Sequence, residues 1–201
     1  MSVTIEEVLY TRIGTTSTAC VGTEDGSKYA VSTSKSGEIT ILPSVPIDGI
    51  CCTVTMIGKY AFFQCKGVTK ITLPNTVTTL KFGCFENLYL TEPLILPSSV
   101  TTVESCFINS WYSHSLVFCG TKEPEMIKIS TNTYWISSYF TGSVIVPMNY
   151  EKGTFCLKNA TKSLTTGCQA TIVKVQRIFT CFRRLNKYPL SSFILTCLLI
   201  S

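Results

Sequence analysis

Three consecutive blocks of the chain can be laid over one another. Residues 54–76 read VTMIGKYAFFQCKGVTKITLPNT, residues 77–99 read VTTLKFGCFENLYLTEPLILPSS, and a third block opens at Val100 with VTTVESCFINSW. Val54, Val77 and Val100 stand 23 residues apart, a period that belongs to repeat architectures. Ile57/Leu80, Phe62/Phe85, Ile71/Leu94, Leu73/Leu96 and Pro74/Pro97 keep the same register. The third block is one residue shorter before Cys106-Phe107, after which Leu116 and Phe118 fall where Ile71 and Leu73 stood. Blocks two and three also share Cys-Phe-x-Asn, at Cys84 and at Cys106.

Such a block cannot fold alone. About five apolar side chains per block, at roughly 2 kcal/mol each, give about 10 kcal/mol, whereas fixing a backbone of that length costs on the order of 20–45 kcal/mol. Stacking on neighbours closes the gap, so each block is expected to be one rung with a core shared along the stack. Ile71-x-Leu73-Pro74 and Leu94-x-Leu96-Pro97 alternate as strands do, and proline, lacking an N–H, ends each one. Stacked strands of this kind make a parallel sheet on one face. The Ala61–Cys65 and Gly83–Asn87 segments are expected to form a helical or turn-like opposite face, with Phe62, Phe85 and Phe107 as a ladder.

The pattern Ile57-Gly58-x-x-Ala61-Phe62-x-x-Cys65-x-x-Val68-x-x-Ile71-x-Leu73-Pro74 resembles the repeat of the BspA-like leucine-rich-repeat proteins. Ile47-Asp48-Gly49 before the first repeat, and Phe118–Pro124 with Val146-Pro147-x-Asn149-Tyr150 after the last, are also similar to that family. The second repeat departs from it, with Lys81 in the place of Gly58 and Leu88 in the place of Cys65, and the third has Trp111 and Tyr112 in its turn; these departures are expected to loosen the local geometry without breaking the columns. The resemblance implies a leucine-rich-repeat solenoid, mainly β with short helical or turn segments; no nucleophile beside a base and no paired acids stand out in the sequence, so no enzymatic activity is expected. It also implies a surface or adhesion protein whose partner is a host or matrix protein.

Three regions follow: a polar segment over 1–36 that begins a cap hairpin, the solenoid over 37–150, and a basic, apolar tail over 151–201. Tyr29-Ala30-Val31 and Ile39-Thr40-Ile41 flank Ser34-Lys35-Ser36-Gly37 and read as that hairpin, set over the open end of the sheet. Val144–Pro147 reads as the strand of a degenerate last rung.

Charge is unevenly spread. From residue 152 onward there are eight Lys or Arg and no acid, while the residues before it carry a net charge of −3. An acidic body does not suit the phosphate backbone, so no nucleic-acid partner is expected. In the tail, Val175, Ile178, Phe179, Phe182 and Leu185 recur at helical spacing among Lys174, Arg177, Arg183, Arg184 and Lys187. That helix has two readings, a cap on the repeats or a membrane-facing element that sets Arg177, Phe182, Arg183 and Arg184 against anionic lipid. Residues 190–201 are apolar but would reach only about 18 Å as a helix, short of a bilayer core of about 30 Å. The N-terminus MSVTIEEVLYTRIG holds acids and no apolar core, unlike a secretory leader, so either the protein is not exported by that route or the chain is a fragment of a longer one; the resemblance implies the cell surface, with a cytoplasmic placement as the alternative.

The eleven cysteines are an odd number, no Cys-x-x-Cys occurs, and several sit in repeat columns, so most are expected as buried free thiols. No Cys/His spacing suits zinc, no cofactor loop is present, and His114 is the one histidine. The candidate surface is therefore the strand face, where Lys70, Thr72, Ile95, Val117 and Ile145 alternate with buried positions and the last three form an exposed apolar stripe. A scaffold inside the cell, or a shortened family copy without a role of its own, are the alternatives to adhesion.

Overall fold

The computed structural model describes residues 1–108, 115–129, 134–164 and 168. They belong to a first compact unit, Met1–Thr171; the second, Ile172–Ser201, lies outside them, and with it the expected tail helix and residues Arg177, Phe182, Arg183 and Arg184. Among the described residues there are strands and turns but no helix.

The chain opens with an antiparallel meander, β1 (Ser2–Ile5), β2 (Val8–Arg12) and β3 (Thr18–Val21). Thereafter β4 (Ser36–Thr40), β5 (Ser44–Ile47) and β6 (Ile50–Ile57) lead into the repeats, where short strands alternate between two sheets. These are β7 (Gly67–Thr72), β8 (Thr79–Leu80), β9 (Leu94–Leu96), β10 (Thr102–Glu104), β11 (Leu116–Phe118), β12 (Glu125–Ile127) and β13 (Val144–Pro147). A small hairpin, β14 (Thr154–Phe155) and β15 (Lys158–Ser163), follows.

The first sheet runs β1-β2-β3-β6-β8-β10-β12, with β5 folded back on β6. Its repeat strands are parallel and in the sequence register: Ile57 pairs with Leu80, and Leu80 with Val103. The second sheet runs β14-β15-β13-β11-β9, pairing Leu94 with Leu116 and Leu116 with Val144. β4 and β7 form a separate parallel pair. The inward residues of both sheets, with Phe62, Phe85 and Phe107 from the turns, fill one hydrophobic core. Phe62 and Phe85 lie stacked, centroids 5.8 Å apart and planes 5° off parallel, and the Phe85 N–H donates to the Phe107 carbonyl at 2.9 Å.

The turn face is not helical, and the backbone shows why. Tyr60, Gly83 and Cys106, 23 residues apart, all have positive φ (53°, 62° and 59°), and so do Gln64 and Asn87 at 56° and 53°. Two left-handed residues per turn rule out a helix, because side chains in that conformation crowd the following carbonyl. Hydroxyls join the rungs where the chain bends: Thr78 Oγ1 donates to the Thr55 carbonyl at 3.2 Å, and Ser99 Oγ to that of Val77 at 2.7 Å.

The expected cap hairpin is absent. Ser36–Thr40 does not fold back on Tyr29–Val31 but pairs in parallel with β7, Ile39 opposite Ile71. The Ala30 N–H donates to the Ala61 carbonyl at 2.7 Å, the kind of bond that Phe62 makes to Cys84 one rung on. Residues 18–41 thus supply an earlier, irregular rung, and the antiparallel strands before it close that end. Its Ser-Lys-Ser-Gly sequence mimics hairpin chemistry, but Ile39 and Ile41 gain more burial by lying under Ile71 and Leu73. Two-residue hairpin turns instead fall at Glu6-Glu7 (φ 51° and 65°), at Asp48-Gly49 (φ 50° and 76°) and at Cys156-Leu157 (φ 48° and 68°).

Lys81 also differs from expectation. It does not loosen its rung: its Nζ lies 2.9 Å from Glu104 Oε1 and 3.8 Å from Glu24 Oε1, and Glu104 Oε2 accepts the Phe82 N–H at 2.8 Å. Burial works against the Lys81 charge, but the Glu104 hydrogen bond and charge outweigh it and raise its pKa. Not every cysteine is a free thiol either. Cys119, just past β11, is joined in a disulfide to Cys168, 49 residues on. The adjacent Cys51 and Cys52 face opposite sides of β6, the first exposed and the second buried.

Candidate functional site

Alternation along β9, β11 and β13 decides the outward row of the second sheet. Leu94 and Leu96 point into the core, so Ile95 between them points out. Pairing sets Val117 beside Ile95 on one side and Ile145 on the other, and Thr161 of β15 continues the row. Side chains from neighbouring rungs are thereby held about 4.8 Å apart on a rigid sheet.

The row is less open than its sequence suggests. Ile95 is 38% exposed, but Val117 is only 4% exposed, and Ile145 is half-buried. Val117 is thus a covered position of the outward row and not part of an open stripe, and it stands two residues before the disulfide at Cys119. Lys70 and Thr72 belong to the other pair of strands, β4 and β7. Between β7 and β9 the ladder gives way to two bonds from the N–H groups of Thr91 and Glu92 to the Thr69 carbonyl, at 2.9 and 3.3 Å. Lys70 is 39% exposed at its side chain and lies 3.8 Å from Glu38. Of the five residues predicted to line this face, the structure brings Ile95, Val117 and Ile145 into one row and sets Lys70 and Thr72 beside it. His114 lies outside the described residues.

A feature that the strand pattern did not reveal lies on the turn face. Tyr29, Phe63, Tyr60 and Phe82 touch in sequence, each neighbouring pair of centroids 5.6 Å apart. The Lys59 Nζ sits 5.4 Å from the Tyr60 ring and 5.7 Å from the Phe82 ring. Their signal in the sequence is the aromatic character of the positions flanking the buried Phe column.

The thiols serve the interior. Burial pushes Cys20 up to about 12 and Cys65 up to about 11, and carries Cys84 and Cys156 well above the ordinary thiol range. At neutral pH these groups are uncharged and behave as small apolar side chains. The sign for stability follows. A thiol whose folded pKa is raised contributes stability that is full below its unfolded pKa of about 9 and is lost as pH rises towards the folded value. A pH series of urea melts is therefore expected to show stability level from pH 6 to 8 and falling steeply above pH 9, since one pKa unit corresponds to about 1.4 kcal/mol. Flat stability up to pH 11 would contradict this packing of the thiols. Among the described residues no group of His, Cys, Asp and Glu is placed to hold a metal ion, and no helix is long and apolar enough to cross a membrane.

Comparison with known families agrees with the register of the rungs: a profile described as BspA type Leucine rich repeat region matches residues 49–139, in six copies. Neither a search of curated proteins nor one of solved structures gives a match. The matched span runs from the Asp48-Gly49 turn through the strands β6 to β12 and ends in the rung that β13 continues. By this match and by the pairing of its strands, residues 49–139 form a leucine-rich-repeat region of the BspA type.

Proposed function

We propose that the chain is a protein-binding repeat module, a short solenoid that presents the outward row of its second sheet to a host or matrix protein. Supporting this is the family of residues 49–139, since leucine-rich repeats generally mediate contacts between proteins. The single observation that carries the choice of face is Ile95, an isoleucine 38% exposed on a rigid parallel sheet with Ile145 in the same row. Apolar side chains held open in this way are surface that a partner can remove from water. Thr72 and the charge of Lys70 flank the row and supply polar contacts at its rim.

The test is binding to immobilised extracellular-matrix proteins, followed by interferometry. Ile95→Asp removes apolar contact and sets a carboxylate in the interface, so affinity is expected to drop roughly a hundredfold, with the melting temperature nearly unchanged because the site is exposed. Val117→Asp is unsuitable because that side chain is buried. Matrix binding that is the same for wild type and Ile95→Asp would count against this face. A role as a scaffold inside the cell makes the same use of the row, and protease shaving of intact cells separates the two, since only a surface protein is clipped.

A further inference from the structure

Among the lysines of the described residues, four are ion-paired and two others are set over aromatic rings. Lys35, Lys70, Lys81 and Lys152 each lie against a carboxylate. Lys59 and Lys66 instead lie over aromatic rings, Lys66 with its Nζ 5.8 Å from the Tyr89 centroid, and among the described residues neither has a carboxylate within 4 Å. Both are on the turn face, beside the run of rings from Tyr29 to Phe82. Tyr29 is 41% and Tyr89 40% exposed, and Tyr60, Phe63 and Phe82 are each half-buried. Gly83 makes the arrangement possible: a Cβ there would lie 2.5 Å from Cδ1 and Cε1 of Tyr60, so its absence lets that ring rest on the next rung.

We infer that this turn face, centred on Tyr29, Lys59, Tyr60, Phe63 and Phe82, is a second docking surface, and that it takes an acidic peptide segment of another protein. The inference rests on the reading of the chain as a protein-binding module, but it uses a different face. Charge complementarity selects the occupant. Two ammonium groups left without carboxylates call for acidic side chains, and the electron-rich rings hold the cations in place while offering apolar area between them. Tyrosine and phenylalanine give much contact area for little lost side-chain freedom, which suits recognition of peptide side chains. Ring orientation argues against an acidic glycan: Tyr60 meets Phe63 at 67° and Phe82 at 88°, so these rings form no common flat platform for a sugar to lie on.

The experiment uses the full chain and a fluorescein-labelled peptide of about a dozen residues in which Glu and Asp alternate with Phe and Leu, followed by anisotropy. The peptide is expected to bind at low salt and to weaken as salt is raised. Lys59→Glu is expected to reduce affinity by roughly tenfold, Tyr29→Ala by roughly fivefold and Lys59→Arg by less than twofold. Tyr29 and Lys66 are exposed, so Tyr29→Ala and Lys66→Glu keep the test open should Lys59→Glu fail to fold. Ile95→Asp is expected to leave peptide binding unchanged, which separates this surface from the strand row: failure of one leaves the other standing. No peptide binding, equal affinity for wild type and the foldable turn-face variants, or tighter binding of a sulfated oligosaccharide than of the peptide would each overturn the inference.

Discussion

Gly58→Ala is expected to destabilise the fold by on the order of 4 kcal/mol, towards the upper end of what single substitutions do. An added Cβ would stand 2.3 Å from the Thr23 carbonyl oxygen, 2.8 Å from that of Val21 and 2.7 Å from Cys20 Sγ. Two of the three obstacles are backbone, so no rotamer change relieves the contact. The clash falls at a junction of rungs, because the Gly58 N–H also donates to the Val21 carbonyl at 2.9 Å. Relief requires β3 to move away from β6, which breaks the parallel ladder from Thr18 to Val21. Lys81 and Glu104 occupy the same column one and two rungs later, and their side chains face each other across the rungs. The column as such therefore admits a side chain, and it is the earliest, irregular rung that demands glycine. A urea melt of the variant measures the loss. A change below about 1 kcal/mol would show that the Val21–Thr23 backbone does not pack against Gly58.

Phe85→Ala is expected to cost about 3–5 kcal/mol, the range for emptying a large aromatic site in a core. Phe85 is 1% exposed and stacks on Phe62, itself fully buried. Removing the ring takes away its own burial and one face of Phe62's packing, and a stack of rungs held by repeated hydrogen bonds cannot collapse readily into the gap. Phe85→Leu keeps most of the volume but loses the stacked contact, so it is expected to cost about half as much. Equal, small effects from both variants would mean that the two rings are not stacked. Because each rung contacts mainly its neighbours, the loss is expected to broaden the unfolding transition as well as shift it.

The parts of this fold that could be read in the sequence are those that the repeat enforces. Ile57, Leu80 and Val103 were aligned by spacing alone and lie paired in the first sheet, as do Leu94, Leu116 and Val144 in the second. A shared core forces the same side chain into the same place on every rung. What could not be read was held by conformation. Glu6-Glu7 turns a hairpin with φ values that normally attract Asn or Gly, so the strands on either side carried no turn signal. Tyr60, Gln64 and Cys106 adopt left-handed backbone against their preference, and their turns therefore resembled short helices. The candidate row was found by alternation, which gives direction but not burial: Ile95 and Val117 are equivalent by register, and only the surroundings make one open and the other closed. Disulfide connectivity is a matter of three-dimensional proximity, and nothing in the spacing of Cys119 and Cys168 announces it.

The claim beneath these expectations is that successive blocks lie parallel and in register, strand over strand. Nuclear Overhauser contacts in the isotope-labelled protein test it most directly. Parallel pairing predicts α-proton to amide contacts linking Leu94 to Leu116 and Leu116 to Val144, with a matching series through Leu80 and Val103 in the other sheet. Close α-to-α contacts across these pairs, the mark of antiparallel strands, or a register displaced by one residue would contradict it.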